Sequence, residues 1–274
     1  MSEIKKEQTL EEKWQNATIA NNFIFYKVMR NNPDVCKELL EILLEFKIER
    51  IEMSQEEEID IDFGSKGIRM DVYVKDGDGK KVYNIELQAA NTNELPERSR
   101  YYQGVIDVDL LKSGQKYKDL KTSYIIFICI DDLFKKGLAK YTFENLCLED
   151  KETKLHDRTQ KLFFISQNCD TLLNAEQKAF LSMVTNNKST NAFTDKINAL
   201  VADAKRNTQW RKQFMDWERE KTYAREEGAQ EKAEEAARNL YANGVSIEII
   251  AKSLEMTEER VKELVQQKKC SLYS

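Results

Sequence analysis

Proline occurs only at Pro33 and Pro96, and glycine at 9 of 274 positions. With so few helix breakers, long uninterrupted helices are favoured. Histidine occurs once, at His156 in the polar stretch Lys154-Leu155-His156-Asp157-Arg158. Any Ser/His or Cys/His catalysis would hang on that one residue, and no such role is assigned to it. There is no phosphate-binding P-loop and no dinucleotide fingerprint. The longest apolar run, Tyr124 to Ile130, has strand length and falls far short of the roughly 20 residues of a membrane span. The segment Met1 to Leu10 is polar and lacks the apolar stretch of a secretory signal. The five cysteines, Cys36, Cys129, Cys147, Cys169 and Cys270, are odd in number, and no two sit at metal-ligand spacing. Free thiols in a reducing cytoplasm are expected, with no membrane partner. Positive charge is also in deficit. Lys and Arg number 43 against 48 Asp and Glu, for a net charge of −5. The chain as a whole does not attract phosphate, so a nucleic-acid partner would need a local basic patch.

What is present is core-forming material, 41% hydrophobic against 33% charged residues, so a packed fold is expected rather than disorder. Ala17 to Asn31 carries Ile19, Phe23 and Val28 at helical spacing. A second helix starts at Pro33, with Val35, Leu39, Leu40, Leu43 and Leu44 as its apolar stripe. Strand alternation then takes over at Glu58–Phe63, Ile68–Val74 and Val82–Ala89, with Asp76-Gly77-Asp78-Gly79-Lys80 supplying turn chemistry. A helix is expected from about Pro96 to Ser113, stopped by Gly114. Ser123–Ile130 is apolar throughout, which suits a strand buried on both faces in parallel pairing. Weaker strands are read at Tyr141–Leu148 and Lys161–Ile165, and helices from Ala175 onward.

The expected architecture is α/β: a central mixed sheet flanked by helices, plus a helical C-terminal region. Three parts are expected: residues 1–190 as the main domain, 191–240 as a charged helical linker rich in Lys, Arg, Glu and Ala, and 241–274 as a small helical appendage. In the appendage, Ser246 and Thr257 are candidate N-caps of a helix-turn-helix-like pair. Glu258 and Glu259 open its second helix, where a DNA reader wants neutral or basic groups. A packing or dimerisation hairpin is therefore preferred to a DNA-binding one.

The residues with chemical potential lie on the hairpin. If Asp78-Gly79 forms the turn, Asp71 falls opposite Glu86 on one face, with β-carbons about 4.5–5.5 Å apart. If Asp76-Gly77 turns instead, Asp71 faces Val82. In the first register two carboxylates repel each other unless a divalent cation sits between them. Magnesium takes such oxygen ligands, one or two carboxylates with retained waters. Gln88 projects from the same face and could orient an attacking water. Against this stands the ordinary reading that Asp71, Glu86 and Gln88 form the polar face of a half-exposed hairpin. The following helix carries Arg98, Arg100, Tyr101, Tyr102 and Gln103. Arg suits phosphate and aromatic rings suit bases. Equally, Tyr101, Val105 and Leu110 could be core and the arginines solvated.

Three stretches together carry a resemblance: Arg69-Met70-Asp71-Val72-Tyr73-Val74, Asn84-Ile85-Glu86-Leu87-Gln88 and Arg98-Ser99-Arg100-Tyr101-Tyr102, followed by Ser113-Gly114-Gln115-Lys116-Tyr117. They resemble the PD-(D/E)XK nuclease superfamily, and within it the recombination-promoting nuclease and transposase-like (Rpn) family, from about Ala17 to Gln167. The resemblance implies a restriction-endonuclease-like core and a Mg2+-dependent site, with Mn2+ as a substitute, that hydrolyses phosphodiester bonds of DNA in recombination. It implies Asp71, Glu86 and the Leu87 backbone carbonyl as metal ligands. Gln88 stands where the superfamily often has Lys, which removes a positive charge, and Arg98 is the candidate to supply it. Where the superfamily often has an acid on the first helix, this chain has Asn21-Asn22-Phe23. Two functions follow: a DNA endonuclease with catalytic Asp71, Glu86, Gln88 and Arg98, or an inactive nuclease-fold module that binds nucleic acid or protein. RNA as the substrate and a homodimer are both compatible with the sequence.

Overall fold

The computed structural model describes residues 8–53, 58–59, 68–69, 71–89 and 93–270. The chain divides into two compact units, Met1–Arg211 and Lys212–Ser274.

The first unit opens with α1 (Leu10–Asn16), closed by a Thr9/Glu12 capping box. α2 (Asn22–Asn31) starts later than the apolar periodicity suggests. The Asn21 side chain accepts hydrogen bonds from the Phe23 and Ile24 amides and so fixes the helix start. α3 (Pro33–Leu44) begins at Pro33 as expected and buries Val35, Leu39, Leu40 and Leu43.

The main sheet is mixed, with six strands among the described residues in the order β1-β4-β5-β6-β8-β7. Its strands are β1 (Ile51–Met53), β4 (Val72–Asp76), β5 (Lys81–Gln88), β6 (Thr122–Cys129), β7 (Lys140–Phe143) and β8 (Thr159–Ile165). β1, β4 and β5 form an antiparallel meander. β6 runs parallel to both β5 and β8, and its whole length from Ser123 is buried, which is what its apolar run demands. β7 closes the far edge antiparallel to β8.

Several sequence expectations shift. The strand expected over Glu58–Phe63 contributes only β2 (Glu58–Ile59), which pairs with β3 (Ile68–Arg69) in a separate two-stranded sheet; residues 60–63 lie outside the described residues. The third strand of the meander is β1. The strand expected over Ile68–Val74 is interrupted, with Asp71 in a bend before β4. The Tyr141–Leu148 strand ends at Phe143, beyond which Leu146 bridges to Lys154.

The hairpin turn is longer than two residues. The Gly79 amide donates to the Asp76 carbonyl at 3.0 Å, and Gly79 takes a positive φ of 66°. The register is nonetheless Val72–Ile85, Tyr73–Asn84, Val74–Tyr83 and Lys75–Val82. A two-residue and a four-residue loop centred on the same bond give the same pairing.

α4 (Leu95–Leu110) connects β5 to β6 and lies on one sheet face, packing Tyr102, Val105 and Ile106 against Tyr73, Ile125, Phe127 and Phe163. It stops short of Ser113, because Lys112–Gln115 forms its own turn, with the Gln115 amide on the Lys112 carbonyl and the Gln115 side chain on the Lys112 amide. The alternate residues Val72, Val74, Tyr83, Ile85, Ile126 and Phe164 are buried on the other face, where α2 lies against β4 and β5. α5 (Ala175–Asn186) and α6 (Ala192–Arg206) complete this unit. α6 is no solvated spacer: Phe193, Ile197, Val201 and Ala204 are buried, and it packs on α2.

α7 (Thr208–Ala242) spans the division. In the second unit its C-terminal part joins α8 (Ile247–Ser253) and α9 (Glu258–Cys270) around Ala237, Ile250, Ala251, Val261 and Leu264. No helix of the described residues is long and apolar enough to cross a membrane.

Candidate active site

The β4–β5 register, continued one residue past Val72, sets Asp71 opposite Glu86. Two hydrogen bonds cross between the strands there. The Asp71 amide donates to Glu86 Oε1 at 3.1 Å, and the Leu87 amide donates to Asp71 Oδ2 at 2.9 Å. Each carboxylate grips the backbone of the other's strand, using side-chain oxygens where the bend at Asp71 interrupts regular pairing. The point lies at the C-terminal end of β5, beside the end of β6, where Gln88 pairs with Cys129. Ligand sites of open α/β sheets gather at such strand ends.

Glu86 is 3% exposed. Burial, and then the charge of Asp71, hold its carboxyl well above the ordinary carboxylate range; the Asp71 amide, Arg98 and Asn84 pull the other way. Arg98 comes in from α4. Its Nη2 lies 3.6 Å from Glu86 Oε2 and donates to the Tyr102 hydroxyl at 2.9 Å, while its Nη1 donates to Gln88 Oε1 at 2.9 Å. The guanidinium lies 5.3 Å from the Tyr102 ring centre and 5.8 Å from that of Phe127. Burial opposes its charge, but Tyr102, Glu86 and Asp71 outweigh that and raise its pKa. Burial and the Glu86 charge keep the Tyr102 hydroxyl protonated.

The structure thus brings Asp71, Glu86, Gln88 and Arg98 together, with the Leu87 carbonyl between Glu86 and Gln88. That carbonyl already accepts from Asn22 Nδ2 of α2 at 2.9 Å. Its second lone pair remains available in principle to a cation. The donor set of two carboxylates and a carbonyl is all hard oxygen and suits Mg2+ or Mn2+. Among the described residues no group of three or more His, Cys, Asp or Glu gathers as a metal cage. A cation here would complete its shell with water or phosphate oxygens.

Three contributors lie beyond the site residues expected from sequence. Tyr102 follows Arg98 at i, i+4, a spacing that puts the two on one helix face. Asn22 reaches the site by a contact that spans 65 residues, which no local pattern signals. Asn84 sits at 1% exposure beside Glu86, without a hydrogen bond of normal geometry. Of the other helix candidates, Arg100 and Tyr101 are exposed, while Gln103 is buried, accepting from Ser123 Oγ and donating to Asp107. His156 lies at the opposite end of β6 and β8, in a polar cavity with Thr122, Glu144, Lys154, Asp157 and Arg158. That lining holds no Ser or Cys nucleophile. Asp132 is tied to the Phe134, Lys135 and Gly137 amides and the Tyr141 hydroxyl, a loop-shaping role. In the second unit Ser246 and Thr257 cap α8 and α9.

The model of one protein family, described as PD-(D/E)XK nuclease family transposase, matches residues 20–268. No curated protein and no solved structure matches the chain.

Proposed function

Since the chain belongs to the PD-(D/E)XK nuclease family transposases, we propose that it is a metal-dependent DNA endonuclease that hydrolyses phosphodiester bonds in a recombination-promoting role. The observation that carries this reading is the meeting of three separate elements at one point. Asp71 before β4 and Glu86 in β5 brace each other, and Arg98 of α4 lies 3.6 Å from Glu86. A merely solvated hairpin face would not bury Glu86 and aim a third element's cation at it.

Asp71 and Glu86 would hold Mg2+ or Mn2+, with the Leu87 carbonyl as a further ligand. When bound, the ion would neutralise charge on the scissile phosphate and acidify the attacking water. Asn22 orients the Leu87 carbonyl through its amide. Arg98 offers donors to a phosphate oxygen and offsets the charge that builds on it during water attack. Tyr102 and Phe127 wall the site on the α4 side and keep the guanidinium partly out of water. The free thiols Cys36, Cys129, Cys147 and Cys169 support a reducing cytoplasmic setting.

A second reading, a nuclease fold that only binds, draws support from the net charge of −5 and from Gln88 in place of lysine. The deciding experiment is plasmid nicking by the purified full chain in Mg2+ or Mn2+ and in chelator, beside Glu86→Ala. The endonuclease reading expects metal-dependent nicking that the variant loses. Nicking that survives in the variant overturns the site, and a wild type that binds DNA without cutting it selects the second reading.

A further inference from the structure

Gln88 is the residue at which this chain departs from the lysine of its superfamily, and the geometry around it shows what an amide does there that an ammonium cannot. A guanidinium has only donors, so every group that holds it must accept. Gln88 Oε1 accepts from Arg98 Nη1 at 2.9 Å, and the Tyr102 hydroxyl oxygen accepts from Arg98 Nη2 at 2.9 Å. One nitrogen is fixed on the strand and the other on the helix. The rings of Tyr102 and Phe127 lie within 5.8 Å of the same group. A free arginine side chain loses substantial rotamer entropy when it must find a phosphate. Here that ordering is already done, while the side chain keeps 31% of its surface exposed. A lysine at position 88 has three donors and no acceptor, and would set a like charge against the guanidinium.

We propose that Gln88 is a positioning residue that acts through Arg98. Its side-chain carbonyl, together with the Tyr102 hydroxyl, holds the guanidinium beside Glu86, and the pair Gln88–Arg98 does as a unit what one lysine does elsewhere in the superfamily. This rests on the endonuclease reading for its activity consequences, but the pairing itself is testable without activity. It also changes the part expected of Gln88, from orienting water to orienting a cation.

The test is a charge swap. Gln88→Lys, which restores the superfamily residue, is expected to lower nicking about a hundredfold. Adding Arg98→Gln exchanges donor and acceptor and is expected to recover at least about tenfold of that loss, a non-additivity that independent structural damage would not produce. Gln88→Glu keeps an acceptor and retains nicking, whereas Gln88→Met, of similar length without one, does not. In parallel, thermal melting of the metal-free proteins should show Gln88→Lys below wild type and the double variant restored toward it. Gln88→Lys that nicks as well as wild type overturns the proposal, as does a double variant no better than Gln88→Lys, or Gln88→Met equal to Gln88→Glu. If wild type does not nick at all, the endonuclease reading fails by itself. The melting series then decides the pairing: restoration supports it and no restoration overturns it.

Discussion

One hairpin carries two pairs of carboxylates, at opposite ends, and they behave differently. At the turn, Asp76 Oδ1 accepts from the Lys80 and Lys81 amides, and Asp78 Oδ1 shares the Lys80 amide. At the open end, Asp71 and Glu86 accept from backbone 15 or 16 residues away and face an arginine from another element. Both ends show carboxyls that burial pushes up, Asp76 at one and Glu86 at the other. Acid density and a raised pKa therefore do not tell a site from a turn. The distinction lies in where the partners come from. Turn carboxylates take their backbone hydrogen bonds from their own loop, although Lys47 and Arg50 line the cavity beside them. The open-end pair is held by cross-strand backbone, with Arg98, Tyr102 and Asn22 arriving from two different helices.

The sharpest way to break that comparison is to remove one charge at each end and read both activity and melting. Asp71→Asn keeps an oxygen for the Leu87 amide, so the fold should survive, while nicking is expected to fall on the order of a thousandfold. Asp76→Asn and Asp78→Asn should nick at the wild-type rate. Equal losses at the two ends would show that the hairpin as a whole, and not its open end, supports activity.

How much of this was legible in the sequence follows the same division between local and convergent partners. The register of the hairpin was readable only as a choice between two turns, Asp78-Gly79 setting Asp71 opposite Glu86 and Asp76-Gly77 setting it opposite Val82, and the observed pairing is centred on Asp78-Gly79. β6 was readable because its isoleucine run leaves no polar face. β1 was not, since three residues at a sheet edge are too few to show a period. α6 was hidden by composition: Phe193, Ile197, Val201 and Ala204 trace a buried stripe, but the charged window around them reads as solvated. Within the site, the carboxylates and Arg98 were visible as residue types. That Gln88 serves Arg98, and that Asn22 reaches Leu87, depends on which helix ends meet which strand ends, and no spacing in one chain states that.

A smaller effect sharpens the turn's side of the comparison. Asp76→Ala leaves the Lys81 amide without its side-chain acceptor and the Lys80 amide with Asp78 alone, in a loop where Asp76 is 8% exposed. An unsatisfied, partly buried donor costs about 1–3 kcal/mol. Denaturant unfolding should show a loss in that range with nicking unchanged. A variant as stable as wild type would mean that the turn is set by Gly79 and the strands alone.

The smallest expected effect uses a third carboxylate, Glu41 in α3, which resembles the turn pair in serving nearby groups and differs in having cations around it. It accepts from the Ile48 amide at 2.8 Å and pairs with Lys37 and Lys47 at 3.1 and 3.0 Å. Burial opposes its charge, but the Ile48 amide and the two lysines prevail and hold its pKa at about 2. A carboxyl depressed on folding stabilises the native state above its unfolded pKa, and the contribution fades as pH falls toward the folded value. Glu41→Gln should therefore cost about 1–2 kcal/mol at neutral pH, after allowance for solvent at the lysines. The gap between variant and wild type should close between about pH 4.5 and pH 2. A gap that persists at pH 2 would assign the effect of Glu41 to packing rather than charge. It would also remove the contrast between a carboxylate that nearby cations stabilise and Glu86, where burial and the charge of Asp71 prevail even with Arg98 present.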